Sequence, residues 1–160
     1  MNRSARPSLL RALLLGSLLL GTACNRDQPP VRAAIQNASP TASVGGAVLH
    51  ASSMSLAELN PSVARRYGIV AGRQGLLLLV TVRGPAGNAI DPGDLRLDAR
   101  VAVLPEPARP LALRPIRTNR FIDYIGVVDA TPPASVHFTL SATRNGEHDD
   151  IATSAELYPR

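Results

Sequence analysis

The side chains able to do chemistry are few. The chain has three histidines, His50, His137 and His148, a single cysteine, Cys24, and no lysine among its 17 basic residues. His50 in "VLHASS" and His137 in "VHFTL" both fall in strand-like stretches. If the two met across a sheet with a carboxylate nearby, they could ligate a transition metal through neutral imidazole nitrogens. The plainer reading, and the preferred one, is two unrelated strand residues, one solvated and one hydrogen-bonded. "GEHDD" (146–150) gathers Glu147, His148, Asp149 and Asp150 beside a turn. It could hold a cation loosely, although hairpin ends are usually polar for solvation alone. Arg114, Arg117 and Arg120 in "LRPIRTNR" could grip an anionic partner, such as a phosphate-bearing lipid or an acidic protein patch, through charge-assisted hydrogen bonds. An edge strand is also made basic to prevent strand-to-strand aggregation, and that reading is favoured over a binding site.

Catalysis finds little support. Ser52, Ser53 and Ser55 lie near His50, but there is no G-x-S-x-G nucleophile elbow. The absence of lysine excludes a P-loop, Schiff-base chemistry and an S-x-x-K acyl enzyme. Phe121, Tyr124 and Tyr158 are too few and too spread for a carbohydrate-stacking platform. The expectation is a non-catalytic protein with no cofactor.

The segment that must place these residues in a compartment is the N-terminal one. Arg3, Arg6 and Arg11 precede an uncharged apolar run over residues 12–23. A spanning helix needs roughly 20 such residues, so the run is too short to cross a bilayer and reads as a secretory signal. Its loss would lower the formal charge of +5 by three. The balanced remainder gives no argument for nucleic acid, and no basic-aromatic pattern supports one. "LGTAC" ends the run at Cys24 and resembles the lipobox of bacterial lipoproteins, with Gly21 where that motif prefers leucine. The resemblance implies lipid attachment at Cys24, and Asn25 after it implies outer-membrane sorting. The alternative is an ordinary signal-peptidase cut and a soluble periplasmic chain. A lone cysteine makes no intramolecular disulfide, so its place at the cut favours the anchor.

Residues 24–43 mix Pro, Ser, Asn and Ala without periodicity and read as a flexible tether, reaching ~25 Å r.m.s.. The domain follows over residues 44–159. "AVLHASSM" (47–54) opens it. Asn60, Pro61 and Gly68 punctuate one short helix over 61–67. "LLLLVTV" (76–82) is apolar throughout, as in a central strand buried on both faces. "LRLDARVAV" (95–103) and "VHFTLSAT" (136–143) alternate apolar and polar, the period of a half-buried strand. "LALRPIR" is a weak edge strand broken by Pro115. "FIDYIGVV" (121–128) is another strand, and Asn145-Gly146 turns a hairpin into "IATSAELY". About seven strands with Pro/Gly turns and one short helix give an all-β, antiparallel, immunoglobulin-like β-sandwich.

The same blocks resemble a family of exported proteobacterial proteins, domain of unknown function 4426. They are "VLHASS", "LNPSVARRYGI" (59–69), "RQGLLLLVTV" (73–82), "LRPIRTNRFIDYIGVV" (113–128) and "ELYP" (156–159). The resemblance implies an exported β-sandwich and no particular activity. The function expected is therefore a lipid-anchored envelope protein that presents a binding domain in the periplasm, with the membrane and an envelope protein as partners. The alternative is a periplasmic metal or small-ligand binder using His50 and His137.

Overall fold

Alternation of buried and exposed side chains along the strands builds two antiparallel sheets. The computed structural model describes residues 40–70 and 72–159. Cys24, the apolar run before it and the tether up to residue 39 lie outside the described residues. Among those described, no helix is long and apolar enough to cross a membrane. The elements in chain order are β1 (Thr41–Val44), β2 (Ala47–Ser55), a 3₁₀ turn (Leu56–Glu58), α1 (Pro61–Arg66), β3 (Gly75–Arg83) and β4 (Arg96–Val103). There follow β5 (Arg109–Leu111), β6 (Arg114–Thr118), β7 (Phe121–Asp129), β8 (Ala134–Arg144) and β9 (Glu147–Leu157). One sheet has the order β1-β2-β3-β7-β6 and the other β5-β4-β8-β9.

The inner faces meet in an aliphatic core. Leu49 and Ala51 of β2, Leu78, Val80 and Val82 of β3, Val101 of β4, and Val136, Phe138 and Leu140 of β8 are all buried there. The alternation expected in β4 and β8 is the alternation found: every inward residue of "VHFTLSA" is buried. With no tryptophan in the chain, Phe138 is the largest fully buried side chain. Truncating it to alanine would cost about 3–5 kcal/mol.

A smaller core explains why β3 is apolar on both faces. Leu77 of β3, Ile125 of β7 and Ile116 of β6 point out of the first sheet and are covered by Leu56, Ala64 and Ile69. α1 is only six residues long, too short to be stable alone. Asn60 Oδ1 accepts from the Ser62 N–H at 2.9 Å, Pro61 opens the helix, and Arg65 and Arg66 face its negative end. Gly68, at φ +61°, lets the chain leave it. Gly75 is needed for closeness: a Cβ there would stand 2.0 Å from the Val128 carbonyl oxygen.

Among the described residues, nine strands replace the expected seven or so for two reasons. "LALRPIR" is not one edge strand. It divides into β5 and β6, which lie at the edges of different sheets. Proline in both, Pro110 and Pro115, is tolerated because each strand has a free side. The second addition is β1, in residues 41–44, of which 41–43 were read as the end of the tether. Its four residues alternate exposed and buried, with Ala42 and Val44 in the core, a pattern too short to register by periodicity.

Candidate functional site

His50 stands in the middle of β2 between buried Leu49 and Ala51, so its side chain leaves the outer face of the first sheet. Its Nδ1 lies 3.1 Å from the hydroxyl of Thr41 on β1. In register across the same face come Thr81 on β3 and then Asp123 on β7. A histidine, two hydroxyls and a carboxylate thus share one row. A nucleophilic relay requires the imidazole to bridge hydroxyl and carboxylate. This row is wired differently. Asp123 Oδ1 accepts from Arg83 Nη1 at 2.5 Å and from the Val82 N–H at 3.4 Å, and Oδ2 accepts from Arg83 Nη2 at 3.3 Å. The Thr81 hydroxyl donates to the carbonyl of His50 itself, at 3.5 Å. The carboxylate is held by a guanidinium, not by the imidazole.

His137 lies on the other sheet. Its neighbours in β8, Val136 and Phe138, are both in the core, so His137 leaves the outer face of the second sheet. Its Nε2 is 3.5 Å from the Ser135 hydroxyl, which donates to Glu156 Oε1 at 2.6 Å. His50 and His137 therefore point away from each other on opposite outer faces of the sandwich. They do not meet across a sheet, and one ion cannot be ligated by both in one molecule. Among the described residues, no group of three His, Cys, Asp or Glu side chains converges as a metal site would require.

The arginines also separate. Arg114 and Arg117 are three apart on β6, an odd spacing that sends them to opposite faces. Arg120 sits in the two-residue turn before β7 beside Asn119, which is at φ +55°. Arg114 lies near Gly68 at the end of α1, whereas Arg117 is close enough to Tyr124 to affect its ionisation. No single anion is placed between the three.

"GEHDD" has a structural use. Glu147 Oε2 accepts from the Gly45 N–H at 2.8 Å, and Asp149 Oδ2 accepts from the Ser43 N–H at 3.0 Å. The Ser43 amide lies on the open edge of β1 and the Gly45 amide in the turn that follows it. Carboxylates from β9 cover them and blunt an edge that would otherwise template pairing. Asp150 accepts from the Ser141 hydroxyl and pairs with His148 at 3.2 Å.

Sequence reasoning missed three residues. Asp123 is the buried charged residue of the described chain, at 8% exposure, and Arg83 is its partner. The signal was present as an aspartate inside the apolar strand "FIDYIGVV". Arg144 was hidden by its place beside a turn. Its guanidinium donates to the carbonyl oxygens of Gly45, Asp91 and Pro92, tying the β1–β2 turn and the 84–94 loop to β8.

At one end of the sandwich a groove of about 370 Å³ runs between the end of β2 and the end of β9. Ser53, Met54, Ala155 and Tyr158 line it. Met54 is 40% and Tyr158 73% exposed, two of the large apolar side chains that the described surface leaves open. Two glutamates, Glu58 and Glu156, also line the groove.

The family model for Domain of unknown function (DUF4426) matches residues 41–160. A crystal structure of a DUF4426 family protein from Pseudomonas aeruginosa superposes with a TM-score of 0.58 at 16% identity, covering 79% of this chain and 98% of that one. FetP of uropathogenic Escherichia coli gives 0.49 at 11% identity, covering 76% of this chain and 94% of that one. A copper-bound variant of FetP gives 0.49 at 11%, covering 75% and 95%. Identities this low describe the fold alone. No curated protein matches the chain by sequence.

Proposed function

Because the chain belongs to the DUF4426 family, a domain of unknown function, we propose its role from its own residues: a non-catalytic binding domain held in the periplasm by a lipid on Cys24. The observation that carries this reading is the fate of the polar groups. Asp123 is bound by Arg83, Glu147 and Asp149 cap β1, and Arg144 holds three carbonyls. These clusters serve the fold, which favours a surface over an active site. The export signal and the "LGTAC" cysteine supply the address. Several acyl chains, each contributing ~0.8 kcal/mol per buried CH₂, anchor where one would not. Asn25 after the cysteine favours the outer membrane.

Mass spectrometry of the mature N-terminus tests the anchor. The expected product begins at an acylated Cys24. An unmodified cysteine, or a chain cut elsewhere, removes the anchor from the proposal. In-cell crosslinking from the domain surface then tests for an envelope protein partner.

A further inference from the structure

We infer that the side of the domain formed by α1, the loop after it and β6 docks on the anionic phospholipid headgroups of a membrane. Arg65 and Arg66 end α1, Arg114 and Arg117 lie on β6, and Arg120 stands in the turn that follows. All of them are exposed. Residues 59–70 and 111–122, which hold these arginines, contain no aspartate or glutamate. The carboxylates of the adjoining β7 are already taken, Asp123 by Arg83 and Asp129 by Arg73. None of the arginines of α1, β6 or the turn forms an ion pair among the described residues. The small core gathers them, because Ala64 of α1 and Ile116 of β6 are both buried in it. Arg114 Nη2 lies 4.0 Å from where a Cβ on Gly68 would stand, just past Arg65 and Arg66. Val70, two residues further on, is 67% exposed.

Charge is divided between the two sides of the sandwich. β6 is one edge of the first sheet and β1 the other, and β1 is the strand that carboxylates of β9 cover. β9 carries Glu147, Asp149, Asp150 and Glu156 and no arginine. Such a separation turns the α1–β6 side toward a negative surface. Its arginines are spread over a helix end, a strand and a turn, which suits a field of headgroups better than one bound anion. Protection of an edge strand accounts for charge on β6. It accounts neither for Arg65 and Arg66 on a helix nor for an open valine beside them. A headgroup layer takes both, the arginines at the phosphates and the valine toward the acyl boundary. A second copy fits less well. The carboxylates it would offer from β9 are already hydrogen-bonded to Ser43, Gly45, Ser135 and Ser141. Contact between unlike sides would also close only as a ring or grow as a filament. The inference rests on the reading of this domain as a binding surface and not on the lipid at Cys24.

The test uses the chain from Asn25 onward, which keeps every residue of both cores and carries neither the apolar run nor the cysteine. The probes are vesicles of phosphatidylglycerol and of phosphatidylcholine. An arginine close to an anionic surface strengthens binding about fivefold. Arg66→Gln with Arg114→Gln should therefore weaken binding to phosphatidylglycerol at least about tenfold. Arg96→Gln with Arg100→Gln, on β4 of the other sheet, removes the same charge and should weaken it less than about twofold. The chain has no tryptophan, so Val70→Trp reports from one place. Its emission should shift to the blue on phosphatidylglycerol and not on phosphatidylcholine. Equal binding to the two vesicles, equal weakening by the two pairs of substitutions, or an unshifted Val70→Trp emission overturns the inference. An unshifted emission with arginine-dependent binding intact assigns this side to an acidic protein instead.

Discussion

Asp123 and Arg83 form a bidentate ion pair across β7 and β3, and the same guanidinium lies 4.2 Å from the centroid of the Phe121 ring. The pair is largely shielded, with side-chain exposures of 11% for Asp123 and 26% for Arg83. Removing one member leaves the other charge without its partner, which costs more than the pair itself contributes. Arg83→Ala should destabilise the domain by about 2–4 kcal/mol, discounted from the fully buried case for the exposed part of the arginine. The joint replacement Arg83→Met with Asp123→Leu should recover most of that loss. Denaturant unfolding of the two variants beside the parent checks both; Arg83→Ala within about 0.5 kcal/mol of the parent, a surface-like value, contradicts the role.

Arg144 joins three segments through backbone carbonyls of Gly45, Asp91 and Pro92. Hydrogen bonds to a charged donor contribute about 1.5–3 kcal/mol each when shielded, less when solvated. Arg144→Ala should lower stability by about 2–3 kcal/mol and speed amide exchange at both turns. Arg144→Lys should restore little, because an ammonium lacks the planar fork that reaches three acceptors. Rescue by lysine would show that charge alone matters.

Burial pushes the Tyr124 phenol above its ordinary value of 10.0, and the Arg117 cation pulls it part of the way back. A pKa raised on folding means that the folded state holds the phenolic proton more tightly than the unfolded chain. Its contribution is present in full below about pH 10 and is lost as pH rises through the folded value. Arg117→Ala removes the opposing influence. The Tyr124 ionisation should move further upward in that variant, seen by phenolate absorbance with Tyr124→Phe subtracted. A downward move would mean that Arg117 does not act on Tyr124.

His50 and His137 leave opposite faces of the sandwich. Copper or zinc titrated into the purified domain should bind no more tightly than to the variant with both residues changed to alanine. A tenfold difference in affinity, about 1.4 kcal/mol, would mean that one histidine binds by itself or that a site is made between molecules. Dependence on protein concentration would identify the second.

Strand existence was legible where a pattern ran long enough to average over local exceptions. β4 and β8 follow the period of two, and β3 reads as doubly buried because both its faces meet apolar layers, one of which is the short helix. The helix itself was legible from Asn60, Pro61 and Gly68, whose effects are local. β1 and the division between β5 and β6 were not legible. Three- and four-residue strands carry too few alternations to stand out, and which sheet a strand joins depends on partners distant in the chain.

The site shows the same boundary more sharply. Which residue types were present, the missing lysine, the cysteine after "LGTA" and the inward residues of the long strands were determined by sequence alone, because each depends on neighbours along the chain. Which of those residues meet was decided by tertiary structure. Placing β2 and β8 in opposite sheets separated His50 from His137, an odd spacing on β6 parted Arg114 from Arg117, and pairing β3 with β7 brought Arg83 to Asp123. The physical reason is that a strand fixes only which face a side chain leaves. What it meets there is set by sheet order and register, and these arise from burying the whole apolar surface at once.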